Sequence, residues 1–186
     1  LFLNVSAGLG LISQLSPLAQ SFYDPLITDP ALRADPVALT KALAAAGGLV
    51  VSISAIFNGL GRLFWARMSD SIGRKTVFVT MFATQAVIYL LVAMGVISGY
   101  YLFLVVACYL LACYGGGFAT MPAFAADSFG PGYIGKVYGF MLTAWSAAGI
   151  LGPYVFSKFK DQALYIAAAL LIAGLLITLA FKKREA

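Results

Sequence analysis

The sequence predicts an all-α membrane protein with six transmembrane helices, and three observations lead to that prediction. Only 10% of the 186 residues are charged, against about 25% in typical globular proteins. Hydrophobic residues make up 62% of the chain, and its mean hydropathy is +0.94. The charges are concentrated in short clusters between apolar runs. Because a soluble fold of this size leaves roughly a third of its chain surface in contact with water, lipid must cover the excess apolar surface.

The number of helices follows from the stretches that contain no charged residue. A hydrocarbon core of about 30 Å requires about 20 residues of helix. One charge-free stretch, residues 76–126, would form a helix of about 76 Å, which is too long for one crossing. We expect it to fold back at residues 98–101, where a Ser-Gly turn precedes two tyrosines. The six predicted helices lie near 1–22, 42–66, 75–97, 101–121, 137–157 and 163–181.

The basic residues predict the orientation of these helices. Six crossings leave both ends of the chain on one side, and that side carries more lysine and arginine than the other. The positive-inside rule therefore places both ends in the cytoplasm, and the same clustering argues against a nucleic-acid partner. The outer junctions carry Arg33, Lys41, Lys158 and Lys160. The inner side carries Arg67, Arg74, Lys75, Lys136, Lys182, Lys183 and Arg184.

The sequence offers little for catalysis. It has no histidine, and its single glutamate is Glu185. The aspartates all fall at predicted helix ends or in loops, so we expect neither a metal site nor a general base within the membrane. No cofactor and no enzymatic activity are expected. Cys108 and Cys113 point about 140° apart on a helix, so they are predicted to be packing residues and not a disulfide.

Arg62 is the residue whose position most requires an explanation, because a guanidinium within an apolar helix is expensive. At 1.5 Å per residue it lies about 12 Å from Asp70 and about 31 Å from Lys41, on the inner side of the midplane. One interpretation is that Arg62 extends to the inner lipid headgroups. The other is that it lines a water-filled cavity, which is favoured by the polar stripe that Ser54, Asn58 and Arg62 form at every fourth position.

A cavity-lining Arg62 would bind an anion. Its guanidinium pairs best with a carboxylate or a phosphate. No acid is expected at its depth in the membrane, and an unpaired buried cation is costly. The sequence therefore predicts that Arg62 binds an anion from solution. The absence of acids at this depth also argues against a proton relay through carboxylates.

Several other residues each have two explanations. Gln14 and Trp145 lie on helices that could line the cavity, and they could equally pack between helices. A second group of residues weakens regular helix, which suits gating, but close packing explains the glycines equally well. These residues are Gly115, Gly116, Gly117, Gly152 and Pro153.

The strongest local motif is the link between the second and third helices. Residues 67–75 read RMSDSIGRK. Gly73 permits the turn, Asp70 can interact with a helix N-terminus, and Arg74 and Lys75 hold the inner face. Topology alone would explain the basic residues.

The pattern Asp-x-x-Gly-Arg-Lys in this link resembles the loop signature of the major facilitator superfamily. That family carries the signature between helices two and three and repeats it between helices eight and nine. Two positions depart from the fuller pattern, since Ala66 replaces a glycine and Ser71 replaces a basic residue, as is common in the second copy. Residues 1–186 therefore resemble helices seven to twelve, the C-terminal half of a twelve-helix transporter. Leu1 already lies within an apolar run, which also leads us to expect a longer protein.

Longer segments resemble the oxalate/formate antiporter branch of that superfamily. They are residues 4–14 (NVSAGLGLISQ), 57–62 (FNGLGR), 142–149 (LTAWSAAG) and 152–153 (GP). The resemblance implies that Arg62 contributes to binding a carboxylate. Oxalate carriers of this family have a second cation, a lysine, in the eleventh helix, whereas residues 143–146 contain none. One cation suits a monocarboxylate such as formate, lactate or pyruvate better than oxalate.

The resemblance also implies a mechanism and partners. Two six-helix bundles would rock about a central site by alternating access, in a lipid bilayer for which the bacterial inner membrane suits the family. The partners would be the small organic anion and the N-terminal six-helix half. Arg62 and Asn58 would anchor the anion beside Trp145 and Gln14. The residues expected to latch the inner face are Asp70, Gly73, Arg74 and Lys75.

Two alternatives remain open at this point. The chain could be a self-contained six-helix channel or one half of a transporter dimer. It could also be a structural half-domain that is inactive in isolation.

Overall fold

The computed structural model describes residues 1–181, and within them six helices are long and apolar enough to cross a membrane. The predicted fold class is confirmed: the chain is an integral, multi-pass, all-α membrane protein. Lys182, Lys183 and Arg184, which contribute to the predicted orientation, lie outside the described residues. The six helices are α1 (Phe2–Tyr23), α2 (Pro36–Ile72), α3 (Arg74–Ala93), α4 (Tyr100–Phe129), α5 (Ile134–Lys158) and α6 (Ala163–Ala180).

Helix α2 is longer at both ends than the charge-free stretch predicts. It begins at Pro36, where the Asp35 carboxylate accepts hydrogen bonds from the amides of Val37 (2.9 Å) and Ala38 (3.2 Å). Proline at the first helical position and aspartate as the N-cap are both favourable. The prediction placed the helix ends near the first and last charges. Hydropathy marks the part of a helix that lies in lipid, whereas the helix itself continues into the headgroups and water.

The predicted break in the long stretch 76–126 is confirmed, although the connection starts a few residues earlier. Helix α3 ends at Ala93, and Gly95 adopts a φ of +72°, which favours glycine. Helix α4 then starts at Tyr100, within the expected turn 98–101. It continues to Phe129, two turns beyond the expected end at 121.

The helices pack as a bundle in which α1 and α4 have the most buried positions. The most extensive contacts join α2 to α4, α1 to α5, and α3 to α6. Two buried tyrosine hydroxyls connect helices through backbone carbonyls: Tyr89 donates to Ala7 (3.0 Å) and Tyr100 donates to Ala46 (2.9 Å). Helices α2 and α5 have the smallest buried share of the six.

The two cysteines have the role that the sequence predicts. Cys108 and Cys113 are both buried in α4, and neither forms a disulfide within residues 1–181. Both therefore act as small packing residues.

Helices α2 and α4 approach each other closely enough for backbone contact. A Cβ atom added at Gly61 would overlap the backbone of Ala112, and one added at Gly115 would overlap Asn58. Small residues at such crossings let two helices pack without intervening side chains. The relative position of α2 and α4 therefore depends on these two glycines.

We predict that Gly61→Ala lowers the thermal stability of the protein in detergent. The added methyl group has no room against Ala112, and overpacking of this kind costs about 1–3 kcal/mol. Gly48→Ala is the matched control, because Gly48 lies on the same helix with open space around it. The two melting temperatures, measured beside wild type, test the prediction. Equal stability of both variants would contradict it.

Candidate functional site

Arg62 lies on an exposed face of α2. It forms no ion pair with any acid among residues 1–181. The carbon at the centre of its guanidinium lies over the ring of Phe118, 5.9 Å from the ring centroid. This distance is within the range of cation–π attraction, about 6 Å. The guanidinium of Arg62 therefore contacts an aromatic ring of α4, and no carboxylate of the described residues neutralises its charge.

Phe118 also contacts Trp145, which lies on α5. The two ring centroids are 6.2 Å apart with an angle of 58° between the planes. Phe118 is half-buried, whereas Trp145 is 37% exposed. Three helices thus contribute one side chain each to a group that we call the Arg62–Phe118–Trp145 cluster. The sequence does not indicate Phe118, because a phenylalanine in an apolar helix carries no signal of its own.

The polar stripe expected on α2 does not stay on one face. Ser54 is fully buried and donates to the carbonyl of Val50 (2.6 Å), Asn58 is half-buried, and Arg62 is exposed. Each step of four residues turns a helix by about 400°, so the stripe rotates by about 40° per step. Ser54 therefore faces the bundle interior, which corrects the expectation that all three residues face a cavity.

Asn58 lies one turn before Arg62 and faces α4. Its side-chain oxygen Oδ1 is buried against Gly115 and has no hydrogen-bond partner among the described residues. An unpaired buried carbonyl oxygen is uncommon in a folded protein. Part of the Asn58 amide thus packs inward, one turn from the cluster, and its role in binding stays a prediction.

Gln14 lies in a different part of the bundle. It lines a cavity of about 260 Å³ between α1 and the connection from α5 to α6, together with Phe156, Lys160 and Ala163. None of the three residues of the Arg62–Phe118–Trp145 cluster lines that cavity. The structure therefore brings Arg62 and Trp145 close to the same ring but does not bring Gln14 to them.

The residues assigned to gating or packing lie inside continuous helices. Helix α4 continues through its three glycines, and α5 continues through its proline. A Cβ atom on the α4 glycines would overlap Asn58, Trp65 and Asn4 in turn, and one on the α5 glycine would overlap the backbone of Ser6. The glycines therefore allow close packing in this conformation, and gating stays a prediction. The residues assigned to gating or packing are Gly115, Gly116, Gly117, Gly152 and Pro153.

Arg74 forms the centre of an ion-pair network at the end of the bundle where α2 connects to α3. It pairs with Asp70, four residues earlier, and its Nε lies 3.1 Å from Oδ2 of Asp127 on α4. It also donates to the hydroxyl of Ser69. Gly73 makes the turn before α3 with a φ of +91°. Asp127 was not predicted as a partner, because only the packing of α4 brings it beside a residue 53 positions away.

Lys75 has a separate role from Arg74. Its Nζ donates to the carbonyls of Leu179 (2.9 Å) and Phe181 (2.8 Å) at the C-terminus of α6. A cation at this end of a helix satisfies free carbonyls and complements the helix dipole. Lys75 lines a cavity of about 420 Å³ together with the ion-pair network and Phe181.

Comparison with known proteins identifies the class of protein that this fold and these residues form. A family model described as Major Facilitator Superfamily matches residues 6–185. The chain therefore belongs to the Major Facilitator Superfamily, as the link between α2 and α3 predicts.

Three relatives show which proteins this chain is similar to. The oxalate:formate antiporter of Oxalobacter formigenes is 33% identical over 124 residues, which is 65% of this chain and 30% of that protein. The apicoplast pyruvate carrier 1 of Toxoplasma gondii is 28% identical over 113 residues, 58% of this chain and 20% of that protein. The multidrug resistance protein MdtG of Citrobacter koseri is 29% identical over 143 residues, 74% of this chain and 34% of that protein.

The predicted resemblance to the oxalate/formate antiporter branch is confirmed by the first of these relatives. The aligned part of this chain covers between a fifth and about a third of the length of each relative. The names of the three relatives describe transport or drug resistance and not enzymatic activity.

We predict that Arg74→Gln lowers thermal stability more at low salt than at high salt. The substitution removes the positive charge that faces two carboxylates, and each ion pair of this kind contributes up to about 1 kcal/mol. Screening at about 1 M salt shortens the Debye length to about 3 Å, so the loss should shrink there. Arg67→Gln is the control, since Arg67 is exposed and has no ion pair within residues 1–181. A salt-independent loss for Arg74→Gln would contradict the prediction.

Proposed function

We propose that this chain is the C-terminal six-helix half of a twelve-helix secondary transporter that carries a small organic anion. The observation that carries the proposal is the position of Arg62. Its guanidinium belongs to a membrane-spanning helix and lies over the ring of Phe118. Helices α2 and α5, which hold Arg62 and Trp145, are also the least buried. The proposed N-terminal half would cover their exposed faces and enclose the Arg62–Phe118–Trp145 cluster.

The charge of the site supports an anionic substrate. A guanidinium has five N–H donors, and an aromatic ring supplies no oxygen atom to accept from them. An uncompensated cation in a region of low polarity is costly. A carboxylate that enters from water supplies both the opposite charge and two acceptors in the geometry that arginine prefers. Asn58, one turn earlier on α2, would contribute an amide to the same anion, with Trp145 as its apolar neighbour.

The substrate we favour is a small monocarboxylate such as formate, lactate or pyruvate, with oxalate less favoured. Two relatives carry names that include oxalate, formate or pyruvate, which supports a small carboxylate. The stretch of α5 around Trp145 adds no second cation, so one positive charge faces one negative charge. The cation of Arg62 also disfavours positively charged drugs, which argues against the activity that the name of the MdtG relative suggests.

The proposed mechanism is alternating access. The two six-helix halves would rock about the anion, so that the site opens to one side of the membrane at a time. The latch on the inner face would be the network of Asp70, Arg74 and Asp127, with Gly73 fixing the turn and Lys75 holding the end of α6. In the proposed orientation the protein lies in a bacterial inner membrane, with both ends of the chain on the cytoplasmic side.

We predict that Arg62→Ala abolishes anion uptake by the full-length protein in proteoliposomes without abolishing folding. Labelled formate, lactate, pyruvate and oxalate would be supplied separately, and counterflow would be measured for each. Loss of a charge-assisted pair costs at least about tenfold in affinity, because such bonds contribute about 1.5–3 kcal/mol. Melting temperature would report folding of the same preparation.

The control for this experiment is Lys41→Ala. It removes one positive charge from the same helix, at an exposed position in the second turn of that helix. Uptake that survives in Arg62→Ala would remove the anion-site proposal and leave Arg62 as a residue that reaches the lipid headgroups. Uptake that runs passively down a gradient with no counterflow would favour the six-helix channel instead.

We predict that a cysteine introduced as Ser128→Cys reacts with a membrane-impermeant maleimide only from the cytoplasmic side. Ser128 lines the 420 Å³ cavity at the inner end, whereas the native cysteines are buried. Adding Asp127→Asn should raise the labelling rate several-fold, because that substitution removes the pair between Arg74 and α4. Labelling from the outer side would show that the orientation is the opposite of the proposed one. A labelling rate that Asp127→Asn leaves unchanged would argue against the latch.

A further inference from the structure

We propose that Phe118 is a positioning residue of the anion site, which holds the Arg62 guanidinium in its binding geometry and connects it to Trp145. This inference rests on the proposed function and adds a residue that neither the sequence pattern nor the names of the relatives indicate. It predicts that anion affinity depends on an aromatic ring at position 118.

The charged group of Arg62 lies at the end of a flexible side chain. An arginine side chain has many rotamers, and fixing them during binding lowers affinity. Within residues 1–181 the charged group of Arg62 has no carboxylate to fix it. Its guanidinium lies over the Phe118 ring, 5.9 Å from the centroid. The ring therefore orients the cation before the anion arrives.

The Phe118 ring leaves the N–H donors of Arg62 available to a substrate. Cation–π attraction acts through the electrons of the ring face and requires no oxygen acceptor. The N–H groups of Arg62 remain able to donate to a carboxylate. A carboxylate side chain in place of Phe118 would position the arginine too, but it would occupy those donors and neutralise the charge. An aromatic ring thus positions the cation without competing with the substrate.

Phe118 also connects the cation to α5. It lies on α4 between Arg62 on α2 and Trp145 on α5, and it contacts both side chains. In the proposed mechanism these three helices belong to the same six-helix half and move together. The Phe118 ring therefore holds the cation and the indole on the same side of the proposed anion site.

Another phenylalanine of the same helix provides a matched control. Phe103 is 1% exposed and packs on Phe22, with ring centroids 4.7 Å apart. No cation–π contact involves it within the described residues. Loss of its ring should therefore reduce stability and leave the affinity for the anion unchanged.

The experiment compares Phe118→Leu, Phe118→Tyr and Phe103→Leu in the full-length protein. The probe is whichever of formate, lactate, pyruvate and oxalate the wild type exchanges, and KM and maximum rate are measured by counterflow, with melting temperature alongside. Phe118→Leu should raise KM about tenfold, equivalent to about 1.4 kcal/mol, with little change in maximum rate. Phe118→Tyr keeps the ring and should stay within about twofold of wild type. Phe103→Leu should lower the melting temperature with KM unchanged.

The outcomes separate this inference from the proposed function. If Arg62→Ala abolishes uptake while Phe118→Leu keeps the wild-type KM, only the role of Phe118 is wrong. If Phe118→Tyr is as impaired as Phe118→Leu, the aromatic ring is not what matters, and the inference is overturned. If Arg62→Ala retains uptake, the proposed function itself fails.

Discussion

The backbone contact between α2 and α4 determines how Arg62 lies relative to Phe118. At Gly61 and Gly115 the two helices meet without side chains between them. Arg62 follows the first glycine directly, and Phe118 lies three residues after the second, so the crossing brings the cation over the ring. A larger residue at either glycine would separate the helices. The surroundings of the charge in the membrane are thus set by two positions that carry no side chain.

Arg62 and Arg74 show how the same type of side chain can have different surroundings in one bundle. Arg74 lies at the water-facing end of α3, where Asp70 and Asp127 supply the opposite charge. It joins the link between two helices to a third helix. Arg62 lies eight residues before Asp70 on α2, forms no ion pair within residues 1–181, and contacts an aromatic ring. Because burying an acid beside it would be costly, we propose that this cation is left for an anion from solution.

The sequence predicted the helices better than their ends. The apolar runs and the turn near residues 98–101 were correct, since hydropathy records which residues contact lipid. The ends of α2 were not, because its N-cap at Asp35 and its continuation to Ile72 lie outside the apolar run. The motif around Asp70 and Arg74 was recognisable as a local pattern. Its third member, Asp127, was not, because no local pattern indicates which distant residue faces Arg74.

By itself, the sequence determined the membrane as solvent, the number of crossings, the family and the unusual cost of Arg62, because each depends on composition or on residues adjacent in the chain. Only the tertiary structure decided which side chains surround that cation. It turned Ser54 into the bundle interior and brought Phe118 between Arg62 and Trp145. It placed Gln14 at a cavity that none of those residues lines. The physical reason is that a helix rotates by about 100° per residue. The direction of a side chain therefore depends on how its helix packs, which the spacing of residues along the chain does not specify.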